Sequence, residues 1–348
     1  MTRDKIAIIG PYPPPYGGIS VHIQRVLKCL PSGSFVFYNS GNTKIPGSIR
    51  LYGKIKYLKV LLFLFRKYKL VHTHTTDNIL RILFGLIGFF RRNIYLHLHG
   101  ASMSDFIAKR GFDSWLMKQL IPNLHIIADN QTIANEIRFY QPRTINEIDA
   151  FIPASWDPAV YANIMRPYRS FFSNGRFVVS MTGWFDRYHD EDLYGFDLVI
   201  GVLKKFIDEG KPIYLVASIN GIRNDQIHRS FTDFIQGNRL HDHVLLIYDD
   251  LPEVWPIFMA SDVFLRPTNT DGSAVSIKEA LWVETPVIAS DCVIRPEDVT
   301  LFRNRQMNDL YEKLLYFYNG ERRKVEWKIE RVKKKKFIYP LIQEVYEL

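Results

Sequence analysis

LRPTNTDGSAVSIKEALWVETPVIASD, residues Leu265 to Asp291, is the stretch whose reading decides the fold. It opens inside DVFLRP (Asp262–Pro267), which is short, apolar, β-prone and stopped by Pro267, and so predicts a buried strand. TNTDGS (Thr268–Ser273) has turn chemistry, and Gly272 has no Cβ to block an approaching ligand. From Ala274 the residues Ile277, Ala280 and Leu281 share one helical face, and Pro286 sets the limit of that helix. PVIAS (Pro286–Ser290) predicts a second buried strand. Strand, polar loop, helix, strand is half of a doubly wound α/β domain. In such a unit the helix start turns bare N–H groups and a positive dipole end toward the loop, a place suited to an anion.

Two carboxylates flank this loop, Asp271 and Glu279. Each has a structural reading, Asp271 as an Asx-turn residue and Ser276 with Glu279 as a capping box. The alternative is that both meet a ligand, and the residues alone leave this open. The run resembles the donor-binding motif of family-4 retaining glycosyltransferases, which have the GT-B architecture. There Glu-x7-Glu is followed by Ala and later by Pro-Val-Ile-Ala. The resemblance implies that Asp271, one methylene shorter than the usual glutamate, contacts sugar hydroxyls and that Glu279 holds the nucleotide ribose. It also implies that helix-end amides from Gly272, Ser273, Ala274 and Val275 hold the donor diphosphate.

At the other end of the chain, KIAIIG (Lys5–Gly10), PYPPPYGG (Pro11–Gly18) and an amphipathic run from Ser20 to Leu30 read as the first βα unit of a Rossmann-like domain. GxGxxG is absent, which removes a dinucleotide fingerprint. Gly17-Gly18 serves either an ordinary tight turn or a close backbone approach to a ligand. Family-4 enzymes open in the same way, with these amides facing the distal phosphate and a His on the next helix, here His22. LVHTHT (Leu70–Thr75) and NIYLHLHG (Asn93–Gly100) are strands ending in histidines, and period 2 gives His97 and His99 the same facing, as it does His72 and His74. Four histidines suggest a metal. No carboxylate spacing completes a site, and the resemblance implies none, so no metal is expected. His99, directly before Gly100, matches the family's sugar-pocket histidine and is expected, with Asp271, to be catalytic.

The second domain departs from the family pattern. RFVVSMTGWF (Arg176–Phe185) predicts its first strand, but the Gly-Arg and later Lys-Gly that neutralise the diphosphate are replaced by Gly183-Trp184 and Tyr194-Gly195. Arg187, Arg266 and Arg295 are the candidate substitutes, because a guanidinium suits phosphate oxygens.

At 348 residues, with 47% hydrophobic and 14% aromatic content, the chain is too long for one typical core and too apolar for disorder. Two Rossmann-like α/β domains facing across a cleft are expected. The first spans residues 1–155 with a returning C-terminal helix at about 335–348, and the second spans 170–334. Residues 153–175 lack clean periodicity and read as the hinge, and the region from Tyr311 to Leu348 reads as helical. Cys29 and Cys292 read as buried thiols of a reducing compartment. No signal peptide is expected, and the apolar runs Val60–Phe65 and Ile82–Phe90 are too short to span a bilayer.

Residues 1–150 hold 20 Lys/Arg against 8 Asp/Glu, although the whole chain carries only +9, so the excess of cations lies in the first half. No nucleic-acid motif accompanies that charge. Lys54–Leu70 and Ile79–Arg92 read as helices with basic ends, suited to an anionic membrane surface. The expected function is transfer, with retention, of a sugar from a UDP- or GDP-linked donor to a hydroxyl of a lipid-linked or polysaccharide acceptor. No cofactor is expected, and the location is cytoplasmic, on the inner face of the cell membrane. The rival readings are a non-catalytic glycosyltransferase-like subunit and a sugar-nucleotide epimerase.

Overall fold

A computed structural model describes residues 4–347 except 15, 101, 174 and 273. The chain forms two compact units. One joins the residues up to Ile152 with those from Phe337 onward, and the other spans Pro153–Lys336.

The first unit is built on seven strands: β1 (Ile6–Gly10), β2 (Phe35–Asn39), β3 (Ile49–Arg50), β4 (Leu70–Thr73), β5 (Ile94–Leu98), β6 (His125–Ala128) and β7 (Thr144–Glu147). They lie in the order β3-β2-β1-β4-β5-β6-β7, every pair parallel. Parallel strands are covered on both faces, which is why β1 is apolar throughout and fully buried. Leu80, Phe84 and Ile87 of the helix Asn78–Phe90 pack on one face with Val71 and Leu96. Ile23 and Val26 of the helix Gly18–Cys29 pack on the other with Ile6, Ile8, Leu341 and Tyr346. The winding reverses between β1 and β4, so the crevice at their C-terminal ends is this sheet's switch point.

In the second unit the strands are β8 (Phe177–Phe185), β9 (Arg187–Tyr188), β10 (Glu191–Asp192), β11 (Ile213–Ile222), β12 (Val244–Ile247), β13 (Val263–Arg266), β14 (Val287–Ser290) and β15 (Val299–Phe302). β9 and β10 form a small antiparallel pair, and the other six make a parallel sheet in the order β12-β11-β8-β13-β14-β15. Its switch point falls between β8 and β13. The stretch read first in the sequence therefore supplies β13, the switch-point loop, the helix Val275–Trp282 and β14.

One expectation is corrected here, and two others gain detail. Lys54–Leu70 is not one helix: it is a helix at Ile55–Leu61, a 3-10 turn at Leu62–Leu64, and then β4 from Leu70. Pairing of Leu70 and Val71 with β1 outweighs helix propensity at that end. Residues 153–175 contain a helix, Pro158–Met165, started by Asp157, whose carboxylate accepts from the Ala159 and Val160 N–H groups at 2.8 and 3.3 Å. The C-terminal helical region is three helices, Met307–Asn319, Val325–Lys334 and Pro340–Glu344, the last of them in the first unit.

Candidate functional site

At the switch point of the second unit, β13 delivers Arg266 and the following loop delivers Asp271. The Arg266 guanidinium grips Asp271 in a two-pronged pair, Nε to Oδ2 and Nη2 to Oδ1, each 2.9 Å. Arg295, beyond β14, donates to Oδ2 at 2.8 Å, and the Thr268 hydroxyl donates to the same oxygen at 3.2 Å. Oδ1 also takes the Gly272 N–H at 3.0 Å. Burial pushes the Asp271 carboxyl up, but the guanidinium groups of Arg266 and Arg295 outweigh it and hold the pKa at about 2. Two cations around one carboxylate leave a surplus of one positive charge. Arg295 is the deeper, 2% exposed, while Arg266 is 12% exposed.

Arg266 and Arg295 come together here, while the two positions where an Arg and a Lys were expected hold Trp184 and Tyr194. Tyr194 stands where the lysine was expected. Its ring lies so close over Gly183 that a Cβ there would meet it at 2.4 Å, and Arg266 stacks above it at 5.2 Å. Gly195 has φ +70°, and a Cβ would meet the Pro267 carbonyl at 2.3 Å, so glycine is required for the loop to lie against β13. Trp184 is packed between Gly221 and the Arg223 guanidinium. Arg187 belongs to a different place: on the β9–β10 pair it is held by Gln226 at 2.9 Å and lies 4.0 Å from Asp190. Nearby, a cavity of about 400 Å³ is lined by Asp190, Glu191, Asp192, Asp197 and Arg305 together with Ser230 and the apolar Ile200, Ile227, Phe231 and Phe234, and its acidic groups outnumber its one cation.

The helix after the loop begins at Val275 with Ala274 as its N-cap, and no described side chain caps it. Ser276 is therefore inside the helix rather than at its cap, which removes the capping-box reading. Glu279 lies one turn further along, 7% exposed. Gly272 is exposed with nothing within 4 Å of a Cβ position, so its backbone is open to approach. Ser273, expected among the diphosphate amides, lies outside the described residues. Asp271 was expected to meet sugar, but both its oxygens are taken up by Arg266, Arg295, Thr268 and the Gly272 amide.

In the first unit, Gly17 and Gly18 open the helix Gly18–Cys29. Both are exposed, Gly18 has open space around it, and the Gly17 N–H already donates to the Ser20 hydroxyl at 3.0 Å. Beside them at the sheet's switch point a buried histidine network has formed. Tyr346 Oη meets His72 Nδ1 at 2.5 Å, and His72 Nε2 lies 3.2 Å from His97 Nδ1. His97 Nε2 and His99 Nδ1 lie 2.9 and 3.1 Å from the two oxygens of Asp129, at the end of β6. His74 Nδ1 is 2.8 Å from His99 Nε2, and His22 Nδ1 is 2.7 Å from the Ala150 carbonyl. Burial lowers His22, His72 and His74 well below the usual range and His97 to about 4, so these rings are neutral at pH 7. Although no metal was expected, the fold brings one nitrogen from each of His22, His74, His97 and His99 within 4.8 Å of the others. Asp129 is a member that sequence reading missed. Its one signal was its place at the end of the strand His125–Ala128.

No family model matches the chain. Over 100 residues it is 34% identical to the O-antigen biosynthesis glycosyltransferase WclY of Escherichia coli, a stretch that covers 29% of this chain and 26% of that protein, so the match spans about a quarter of the relative's length. Among solved structures it is similar to Anabaena Alr3699/HepE in complex with UDP, with TM-score 0.68 and 13% identity over 99% of this chain and 98% of that one. It is also similar to the lipopolysaccharide outer core galactosyltransferase WaaB, with TM-score 0.59 and 14% identity over 95% of each chain. Sucrose-phosphate synthase from Thermosynechococcus elongatus matches with TM-score 0.60 and 16% identity over 95% of this chain and 94% of that one. With its seven-stranded and six-stranded parallel sheets, the chain has the GT-B fold of two Rossmann-like domains.

Proposed function

We propose that this protein is a glycosyltransferase that moves a sugar from a nucleoside-diphosphate donor to a hydroxyl acceptor. The observation that carries this reading is the Arg266–Asp271–Arg295 cluster, with its surplus positive charge, at a switch point that also presents the N-terminus of the helix Val275–Trp282. Arg266 is the cation that meets the diphosphate, joined by amides that open the helix. Arg295 and Asp271 are positioning residues. Without Arg295 the Asp271–Arg266 pair would be neutral, and without Asp271 the Arg266 fork would have no fixed direction. Glu279 holds the ribose and His99 serves the acceptor or sugar side. Transfer proceeds with retention by front-face displacement, in which the leaving diphosphate takes the acceptor proton and Arg266 stabilises its growing charge. The UDP complex of a protein with this fold and the partial likeness to an O-antigen glycosyltransferase support the donor class.

Calorimetry tests the diphosphate reading. UDP or GDP is expected to bind at least tenfold more tightly than UMP, and Arg266→Gln to lower diphosphate affinity about 10- to 100-fold while leaving UMP nearly unchanged. Equal binding of UDP, GDP and UMP would instead favour a non-catalytic subunit, and donor conversion without any acceptor would favour an epimerase.

A membrane-facing acceptor is supported by the first unit's surface. The helix Ile55–Leu61 packs on the helix Asn78–Phe90, and together with the turn after the first they expose Ile55, Leu58, Phe65, Phe89 and Phe90 beside exposed Lys54, Lys67 and Arg92. No described helix is long and apolar enough to cross a membrane. This patch has the mixture of aromatic and basic groups that seats a protein in the headgroup layer. Sedimentation with vesicles containing anionic lipid is expected to carry the protein down, less so at high salt. Phe65→Ser with Phe89→Ser and Phe90→Ser is expected to weaken partitioning by more than about tenfold. Indifference to both lipid charge and these substitutions would remove the membrane from the reading.

A further inference from the structure

We propose that the histidine cluster at the switch point of the first unit binds a divalent transition-metal ion of the zinc type, anchored by His22 and His74 and completed by His97 and His99. The site shares His99 with the acceptor or sugar side of the reading above, but metal binding rests on the histidine cluster alone and is tested without nucleotide.

The ring nitrogens of the network can be followed one by one. His97 Nε2 and His99 Nδ1 face the two oxygens of Asp129. His97 Nδ1 faces His72 Nε2, and His72 Nδ1 faces the Tyr346 hydroxyl. His99 Nε2 faces His74 Nδ1. The Ala150 carbonyl only accepts, so His22 Nδ1 donates to it. What remains is the Nε2 atom of His22 and the Nε2 atom of His74, on residues 5% and 0% exposed, each without a hydrogen-bond partner.

Two unpartnered imidazole nitrogens in the interior are an unusual thing for a fold to keep, because buried polar groups are ordinarily satisfied. Neutral imidazole with its lone pair exposed is also the form that ligates a metal. One nitrogen from each of four histidines lies within 4.8 Å of the rest, and Asp129 stands behind His97 and His99 as the outer carboxylate that fixes ring orientation in metal sites. An all-nitrogen set disfavours calcium and magnesium, which take oxygen, and favours zinc, nickel or copper. On binding, His97 Nδ1 and His99 Nε2 would exchange their contacts with His72 and His74 for coordination. The ion would then clip the helix Gly18–Cys29 to the ends of β4 and β5, where the Gly17-Gly18 amides open.

The test uses the full chain, stripped with chelator and then titrated with ZnCl2 or CoCl2. One ion per chain is expected to survive gel filtration, and cobalt is expected to give the intense visible bands of a low-coordinate nitrogen site. His22→Gln and His74→Gln are each expected to lower affinity more than about 100-fold, and Asp129→Asn about 10- to 100-fold. His125→Gln, whose ring instead contacts Thr144 and the Arg92 carbonyl, should bind as the parent does. Should a variant fail to fold, zinc-induced shifts of the His22 and His74 ring nitrogens in the parent chain decide the matter. Failure of the parent to retain zinc or cobalt, or retention unchanged in folded His22→Gln and His74→Gln, overturns the proposal. No nucleotide enters the assay, so its result is independent of donor binding.

Discussion

Asp271→Ala is expected to lower the unfolding free energy of the Pro153–Lys336 unit by about 3–5 kcal/mol, a fall in Tm of roughly 10 °C. The carboxylate is the only described acidic group paired with Arg266 and Arg295, and the substitution strands both guanidinium groups in a site where one of them is 2% exposed. Two buried like charges without a counter-ion are costlier than one broken surface pair, which is worth at most about 1 kcal/mol. Five of the six tryptophans, Trp156, Trp184, Trp255, Trp282 and Trp327, belong to this unit, so fluorescence during urea unfolding reports on it directly. Diphosphate binding is expected to fall with stability, because Arg266 loses the fork that aims it. A loss below about 1 kcal/mol would show that the arginines find water or other acceptors and that the cluster is not a fixed unit.

The same residue gives an acid limb. The Asp271 carboxyl is held at about 2 against an ordinary 3.8. A depressed acid stabilises the fold above its unfolded pKa and loses that contribution as pH falls through the folded value. About 2.5 kcal/mol should therefore disappear between pH 4 and pH 2, and Asp271→Ala should lack this step.

How much of this was readable in the chain varies by element. The strands of both sheets announced themselves, because strands buried on both faces are near-continuous apolar runs such as Ile6–Ile9 and Phe177–Met181. The helix at Ile55 was overextended because apolar and basic residues continue from Leu62 to Leu70 with no Gly or Pro to mark where it stops. Arg266 and Asp271 are five residues apart and were both singled out, yet their pairing was not foreseen. Arg295 is 24 residues from Asp271 and comes to it only through the order β13-β14 of the sheet. In the first unit, period 2 placed His72 with His74 and His97 with His99. It could not show that helix packing would bring His22 against them, or that β6 would end in Asp129. Such groupings depend on which strands are neighbours, and local pattern carries no information on that.

Lys328 was hidden for a different reason: among the cations of VEWKIERVKKKK nothing marks it as buried. It is 1% exposed, and its ammonium reaches the Met259 and Ser261 carbonyls at 3.1 and 2.6 Å and the Thr285 hydroxyl at 3.0 Å. Burial draws its pKa down from 10.5 to about 7. A lysine depressed on folding is more readily protonated in the unfolded chain, so between the two values stability rises with pH. The unfolding free energy of this unit is expected to climb by up to about 1.4 kcal/mol per pH unit from about pH 7 to pH 9.5, and Lys328→Met is expected to flatten the climb. Urea midpoints across that range measure it, and a slope that survives in Lys328→Met would assign the effect to another group. The three acceptors lie just ahead of β13 and β14, the strands that carry Arg266 and lead to Arg295. The bond from Lys328 thus ties the helix Val325–Lys334 to the segments entering the floor of the proposed diphosphate site. Its removal should loosen hydrogen exchange at Val263 and Val287 before it affects the far strands β11 and β12.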